Sequence, residues 1–167
     1  MIAGMDLGKA GVIWLGGREF PVERTGADRP VARLRSNRLM VGGDREQALA
    51  AIDRWYRREA RRRVEALASS EGERLGLKAA KVRIGNQRTR WGSCSTSGTL
   101  SFNWRLAIGC PEALRYVVVH ELVHLEHPNH SRRFWNALGH AMPDWKSAAT
   151  WLRANERELL GWKPVLS

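Results

Sequence analysis

His120-Glu121-Leu122-Val123-His124 decides how this chain is read, because it sets two imidazoles four residues apart. On a helix, positions i and i+4 share a face, so both rings can reach one ion. Glu121 projects about 100° further round the same turn, where a carboxylate can deprotonate a metal-coordinated water. The flanks carry helical periodicity, with Leu114, Val117, Val118, Leu122 and Leu125 making an apolar face. All five histidines fall between residues 120 and 140, and that clustering favours a metal site over two histidines that merely pack.

A catalytic zinc takes three protein ligands and keeps a fourth position open. His130, six residues after His124 and past the Pro128-Asn129 break, is the leading third candidate; Glu156 and Glu158 from a later helix are the alternatives. His127 reads as a supporting or surface residue, and His140 as a buried or helix-end histidine. Cys94 as a fourth ligand would close the site, so it is set aside. The expected cofactor is one Zn2+ per chain, on His120, His124 and His130.

Outward from the motif, Pro111 suits the first turn of its helix. Ser131 caps the next helix, and Pro143-Asp144 begins the last. Upstream, Asp44 with Gln47 three residues on has capping-box spacing. A long helix follows, with Leu49, Ile52, Trp55, Tyr56, Ala60, Val64 and Leu67 on one face, and it is expected to fray from Ser69 to Gly76. Residues 8–42 read as short strands, with a hairpin turn at Gly16-Gly17. Two further strand patterns, at Lys81–Ile84 and Thr99–Trp104, predict a hairpin of 81–91 against 99–105. The fold class is therefore α+β. A short β-rich segment is expected over 1–42 and the site-bearing part over 43–167, the two forming one continuous domain.

Length and composition agree with this. A chain of 167 residues suits one domain, and 43% hydrophobic content excludes a disordered one. No apolar run is long enough to span a membrane, and Met1–Asp6 lacks the basic-then-apolar pattern of a secretory signal. With Cys94 and Cys110 read as free thiols, the expected location is the cytoplasm. The charge is +11, and 23 of the 28 basic residues are arginine. Residues 1–105 carry 21 basic and 11 acidic side chains, whereas 106–167 carry 7 and 6. A field of that sign attracts anions. Arg54, Arg57, Arg58, Arg61, Arg62 and Arg63 make the long helix a candidate for weak, non-specific contact with nucleic acid. The competing reading is a solvated face paired to Asp53, Glu59 and Glu65.

Several separated segments together resemble a known family: Arg90-Trp91-Gly92-Ser93-Cys94, Phe102-Asn103-Trp104-Arg105-Leu106, the stretch from Tyr116 to Leu125, and Asn129-His130-Ser131 with Phe134-Trp135. They are similar to the YgjP-like zinc metallopeptidases, a group akin to the SprT-like and WLM-type proteases. The resemblance covers roughly residues 30–162. It implies zinc on His120, His124 and His130, Glu121 as base, and a minimal zincin-like fold in which a small mixed sheet packs on the active-site helix.

The expected function is a zinc-dependent hydrolase, a metallopeptidase that cleaves peptide bonds with a zinc-activated water and Glu121 as general base. Arg90, Arg105 and Tyr116 are candidate substrate-binding groups that could stabilise an oxyanion, with Arg88 a further arginine on the same strand pattern. The partner is then a peptide or protein substrate. Two other readings stay open: a zinc hydrolase of nucleotide phosphoanhydrides, and a nucleic-acid-binding protein with a structural zinc.

Overall fold

Seven strands and four helices follow one another along the chain in the computed structural model, which describes residues 5–166. Met1–Gly4 lie outside the described residues, and with them most of the stretch read for a secretory signal. Strands β1 (Val12–Leu15), β2 (Arg18–Arg24), β3 (Val31–Arg35) and β4 (Arg38–Gly42) form a mixed sheet in the order β1-β2-β4-β3. Gly16 and Gly17 turn β1 into β2 with φ of 60° and 73°, the left-handed pair that a two-residue hairpin needs. Ser36 and Asn37 do the same for β3 and β4, with φ of 47° and 62°.

Helix α1 (Arg45–Leu75) starts at a complete capping box between Asp44 and Gln47. It does not fray at Ser69. Ser69 and Ser70 stay helical, because Glu71 and Gly72 behind them are buried against the rest of the molecule. The helix stops at Gly76, where φ is 69° and the Leu77 N–H donates to the Gly72 carbonyl (2.8 Å).

The second sheet corrects the predicted hairpin. Its order is β5-β7-β6, with β5 (Lys81–Gly85) parallel to β7 (Thr99–Asn103) and β6 (Gly92–Cys94) antiparallel to it. The 86–91 segment leaves the sheet after β5 and returns on the other side of β7. Its polar groups hold it there: Asn103 Nδ2 donates to the Gln87 carbonyl (2.7 Å), and Trp104 Nε1 donates to Asn86 Oδ1 (3.1 Å). β6 is thus an edge strand. A single 3-10 turn, Trp104–Ala107, leads into α2 (Pro111–Val123), then α3 (Arg132–Ala141) and α4 (Trp145–Gly161).

Two mixed sheets with four helices make this an α+β fold, as the sequence implies. One apolar core runs from Ile13 and Leu39 through Ile52 and Tyr56 to Phe102, Val118 and Leu122, all fully buried. A smaller cluster of Val119, Val123, Phe134, Leu138 and Met142 lies beneath the histidines. Helix α2 is buried on most of its circumference, which explains its run of valines despite their modest helix propensity. No helix among the described residues is long and apolar enough to cross a membrane. Cys94 and Cys110 are both free thiols.

An ionic clamp joins α1 to α2. Glu71 is 8% exposed and accepts from Arg115 Nε of α2 (2.6 Å) and from Arg74 Nε (2.9 Å); Arg74 also donates to the Ala141 carbonyl at the end of α3 (2.7 Å). Burial alone would raise the Glu71 carboxyl, but the hydrogen bonds and charges of Arg115 and Arg74 outweigh it and hold it below the usual range. The folded state therefore binds fewer protons here than the unfolded chain. The clamp's contribution is present at neutral pH and is lost as pH falls through the folded value. Glu71→Gln is expected to cost about 1–2 kcal/mol at neutral pH, at the low end for charged hydrogen bonds because both arginine heads are partly solvated. Urea titrations at neutral and acidic pH check this; the two proteins should converge in acid, and an equal gap at both would refute the clamp.

Candidate active site

Helix α2 presents His120 and His124 on one face, one turn apart. Beyond it the chain tightens, with the His127 N–H on the Val123 carbonyl (3.0 Å), and Pro128 stops further helix. Ser131 then caps α3 by accepting from the Phe134 N–H (3.4 Å). This reversal brings His130 back over the end of α2. The Nε2 atoms of His120 and His130 are 3.0 Å apart, those of His124 and His130 3.1 Å, and those of His120 and His124 3.2 Å.

Three imidazole nitrogens facing one point suit a cation. A tetrahedral ion bound at about 2.0–2.1 Å would hold its ligand nitrogens roughly 3.3–3.4 Å apart, close to the spacing seen. His124 Nδ1 donates to the His127 carbonyl (2.9 Å), which leaves the Nε2 lone pair turned inward. His127 supports the site through its backbone and not its ring. All three rings pack on fully buried Phe134, His124 against its face at 4.4 Å and the other two edge-on at 4.8 Å. Burial, reinforced by His124 and His130, pushes His120 down to about 3, so the ring stands neutral, the form a metal ligand requires. Burial also lowers His124, against its bond to His127. Among the described residues, this triad is the one group of three ligating side chains with converging atoms. Glu156 and Glu158 do not join it; Glu158 sits by Leu7 and Trp162.

Glu121 is 6% exposed, and its carboxylate has no hydrogen-bond partner among the described residues. Burial pushes it up to about 7, against the nearby charge of Arg90. A cleft of about 480 Å3 opens between α2 and the edge strand β6, lined by Gly92 to Thr96 on one side and His120, Glu121, His124 and His130 on the other. β6 comes so close that a Cβ on Gly92 would lie 2.8 Å from Glu121 Oε1, 2.9 Å from its Cγ and 3.0 Å from Val117 Cγ1. Gly92→Ala is therefore expected to displace the carboxylate and cut kcat/KM by about 10²-fold, the usual result of a misplacement near 1 Å. Its metal content should stay full, and an alanine variant of normal activity would refute the contact.

The substrate-binding candidates part company. Arg90 lies two residues before β6, is exposed, and its charge reaches Glu121. Tyr116 lies one turn before His120, edge-on to that ring at 5.7 Å and stacked on Trp145 at 6.1 Å. Arg105 is not brought to the cleft. Asn103 Oδ1 accepts from the Arg105 N–H (3.0 Å) and starts the 3-10 turn that carries the side chain toward α1. There its guanidinium bonds to Asn86 and lies 4.4 Å from the Trp104 ring centre.

Residue spacing along the chain did not single out three features of this site. Gly92 meets a carboxylate 29 positions away, and Phe134 is a floor for all three histidines. Trp135, 37% exposed, stacks on His130 at 5.5 Å and on Trp145 at 5.0 Å. Only the aromatic spacing of Phe134 and Trp135 after Ser131 hinted at the last two.

A helix bearing a buried glutamate between two of three converging imidazoles, roofed by an edge strand, is the architecture of a metal-dependent hydrolase. The chain belongs to the YgjP-like metallopeptidase domain family, whose profile matches residues 4–155. Among solved structures it is similar to the metallopeptidase zymogen abylysin of Pyrococcus abyssi, with a TM-score of 0.50 and 25% identity over 61% of this chain and 99% of that one. No curated protein matches the chain.

Proposed function

We propose that this chain is a zinc-dependent metallopeptidase that hydrolyses peptide bonds, with one zinc ion held by His120, His124 and His130 and Glu121 as general base. The observation that carries the reading is the convergence of three Nε2 atoms within 3.2 Å of one another, beside a buried, unpaired carboxylate. Membership of a metallopeptidase family and the absence of any competing ligand set among the described residues support it. When bound, zinc supplies Lewis acidity and acidifies a coordinated water.

The rest of the chemistry falls to the chain. Glu121 accepts a proton from the attacking water and delivers it to the leaving nitrogen, a task suited to a carboxyl whose affinity for protons has been raised by burial. The free edge of β6 offers main-chain donors and acceptors to an extended peptide. Arg90 and Tyr116 stand where a developing negative charge can be met. The free thiols fit a cytoplasmic protein, and the continuous core fits one domain over 1–42 and 43–167.

The test is hydrolysis by zinc-loaded protein of a peptide library and of a nucleotide panel. Cleavage of peptides alone is expected. Release of phosphate or pyrophosphate without peptide cleavage would instead favour a phosphoanhydride hydrolase.

A further inference from the structure

The six arginines clustered on α1 do not behave alike. Arg57 pairs with Asp53 (2.7 Å), Arg61 with Glu65 (3.2 Å), Arg62 with Glu59 (2.8 Å), and Arg63 lies 3.8 Å from the same Glu59. Each of these four therefore lies beside a carboxylate of its own helix, Glu59 serving two of them. Arg54 and Arg58 make no ion pair and no side-chain hydrogen bond among the described residues. They stand one turn apart, and both turn toward β3.

There they meet two more unpaired arginines. Arg29, from the loop before β3, and Arg33, on β3 itself, line the same groove of about 530 Å3 as Arg54 and Arg58. Its floor is Ala32 and Ala51, each 3% exposed, whose small side chains leave the hollow between strand and helix. No carboxylate lines it. Four guanidiniums on one concave surface repel each other, and like charges at i and i+4 destabilise a helix. The fold accepts this cost here while pairing the arginines on the other faces of the same helix.

We infer that the groove between β3 and α1 is an anion-binding site for the phosphodiester backbone of nucleic acid, held by Arg29, Arg33, Arg54 and Arg58. Guanidinium forks bind phosphate oxygens in pairs, and arginine is the residue suited to that planar geometry. A strand of phosphates fits a concave groove lined by arginines from both the β3 side and the helix. A membrane surface is flat, and a concave surface meets it poorly. The recognition is without sequence preference, since phosphates carry none. The groove lies about 20 Å along α1 from Glu71, where that helix joins α2, so the site is separate from the histidine triad and does not depend on the peptidase reading.

The experiment is fluorescence anisotropy of labelled single-stranded and duplex DNA with the zinc-loaded protein over a salt series. Four phosphate contacts predict a log–log slope near −3.6 on duplex and about −2.8 on single strands, with binding near 10⁻⁴–10⁻⁶ M at physiological salt. R54A/R58A is expected to reduce the slope by about two contacts and to weaken binding by at least about 10-fold at about 50 mM salt. R29A/R33A should do the same from the other wall. R61A/R62A, which removes paired arginines, should leave the slope unchanged. Equal losses in R61A/R62A would mean diffuse charge and overturn the groove. So would no DNA binding at low salt, or binding only to inorganic tripolyphosphate or to phosphatidylserine vesicles. Anisotropy reads no hydrolysis, so failure of this site and failure of the peptidase are distinguishable.

Discussion

Glu121→Gln is expected to keep a full complement of zinc and to lose hydrolysis by at least about 10²-fold, within the range of a lost general base. The metal should stay because Glu121 is not among the three converging ligands. The fold should stay because glutamine has the same shape and the carboxylate accepts no hydrogen bond from the described residues. It also rests in close contact with β6 below Gly92, a space that an isostere fills without strain. What disappears is the proton acceptor. Zinc analysis beside peptide hydrolysis checks this, and a zinc-loaded Glu121→Gln protein of near-normal activity would remove Glu121 from the chemistry whatever the substrate. A buried carboxyl with no partner lowers stability, so the glutamine variant should unfold at no lower denaturant concentration than the parent. That combination, activity lost with stability kept, separates a chemical role from a packing one.

The parts of this molecule that could be read beforehand are those whose physics is local. The i, i+4 histidines, the capping box at Asp44 and Gln47, the Gly16-Gly17 turn and the cap at Ser131 each depend on a few neighbouring residues, and each is in place. His130 was legible because Pro128 must end a helix and let the chain double back. Strand pairing is different. β5 and β7 look like two arms of a hairpin in sequence, yet they run parallel, because Asn86 and Gln87 bind Asn103 and Trp104 and take the intervening chain across β7. Arg105 was misplaced for the same reason: the Asn103 cap rotates the segment after β7 toward α1. The arginine helix divides by partner and not by position, and only the fold shows that Arg54 and Arg58 face β3 while their neighbours face carboxylates. The Glu71 clamp and the Gly92 contact join residues 44 and 29 positions apart, beyond the reach of any periodicity.

His130→Ala is expected to lower zinc affinity by more than about 10²-fold, beyond the 10–100-fold that follows loss of a supporting partner of a ligand. Removing one nitrogen leaves two imidazoles one turn apart, and water must complete the coordination. The effect should be specific to the ring that points inward. His127→Ala is the control. His124 is oriented by the His127 backbone carbonyl at 2.9 Å, which alanine retains, so that variant should bind zinc as the parent does. Competition against a chelator of known affinity measures both. If His130→Ala kept tight, stoichiometric zinc, the third ligand would lie elsewhere, and Glu156 or Glu158 would have to swing in from α4. If His127→Ala lost zinc, its ring and not its backbone would be serving the site. The expected pattern, loss at 130 and none at 127, tests the geometry atom by atom: three Nε2 atoms face one point, and what orients His124 is a peptide carbonyl that substitution cannot remove.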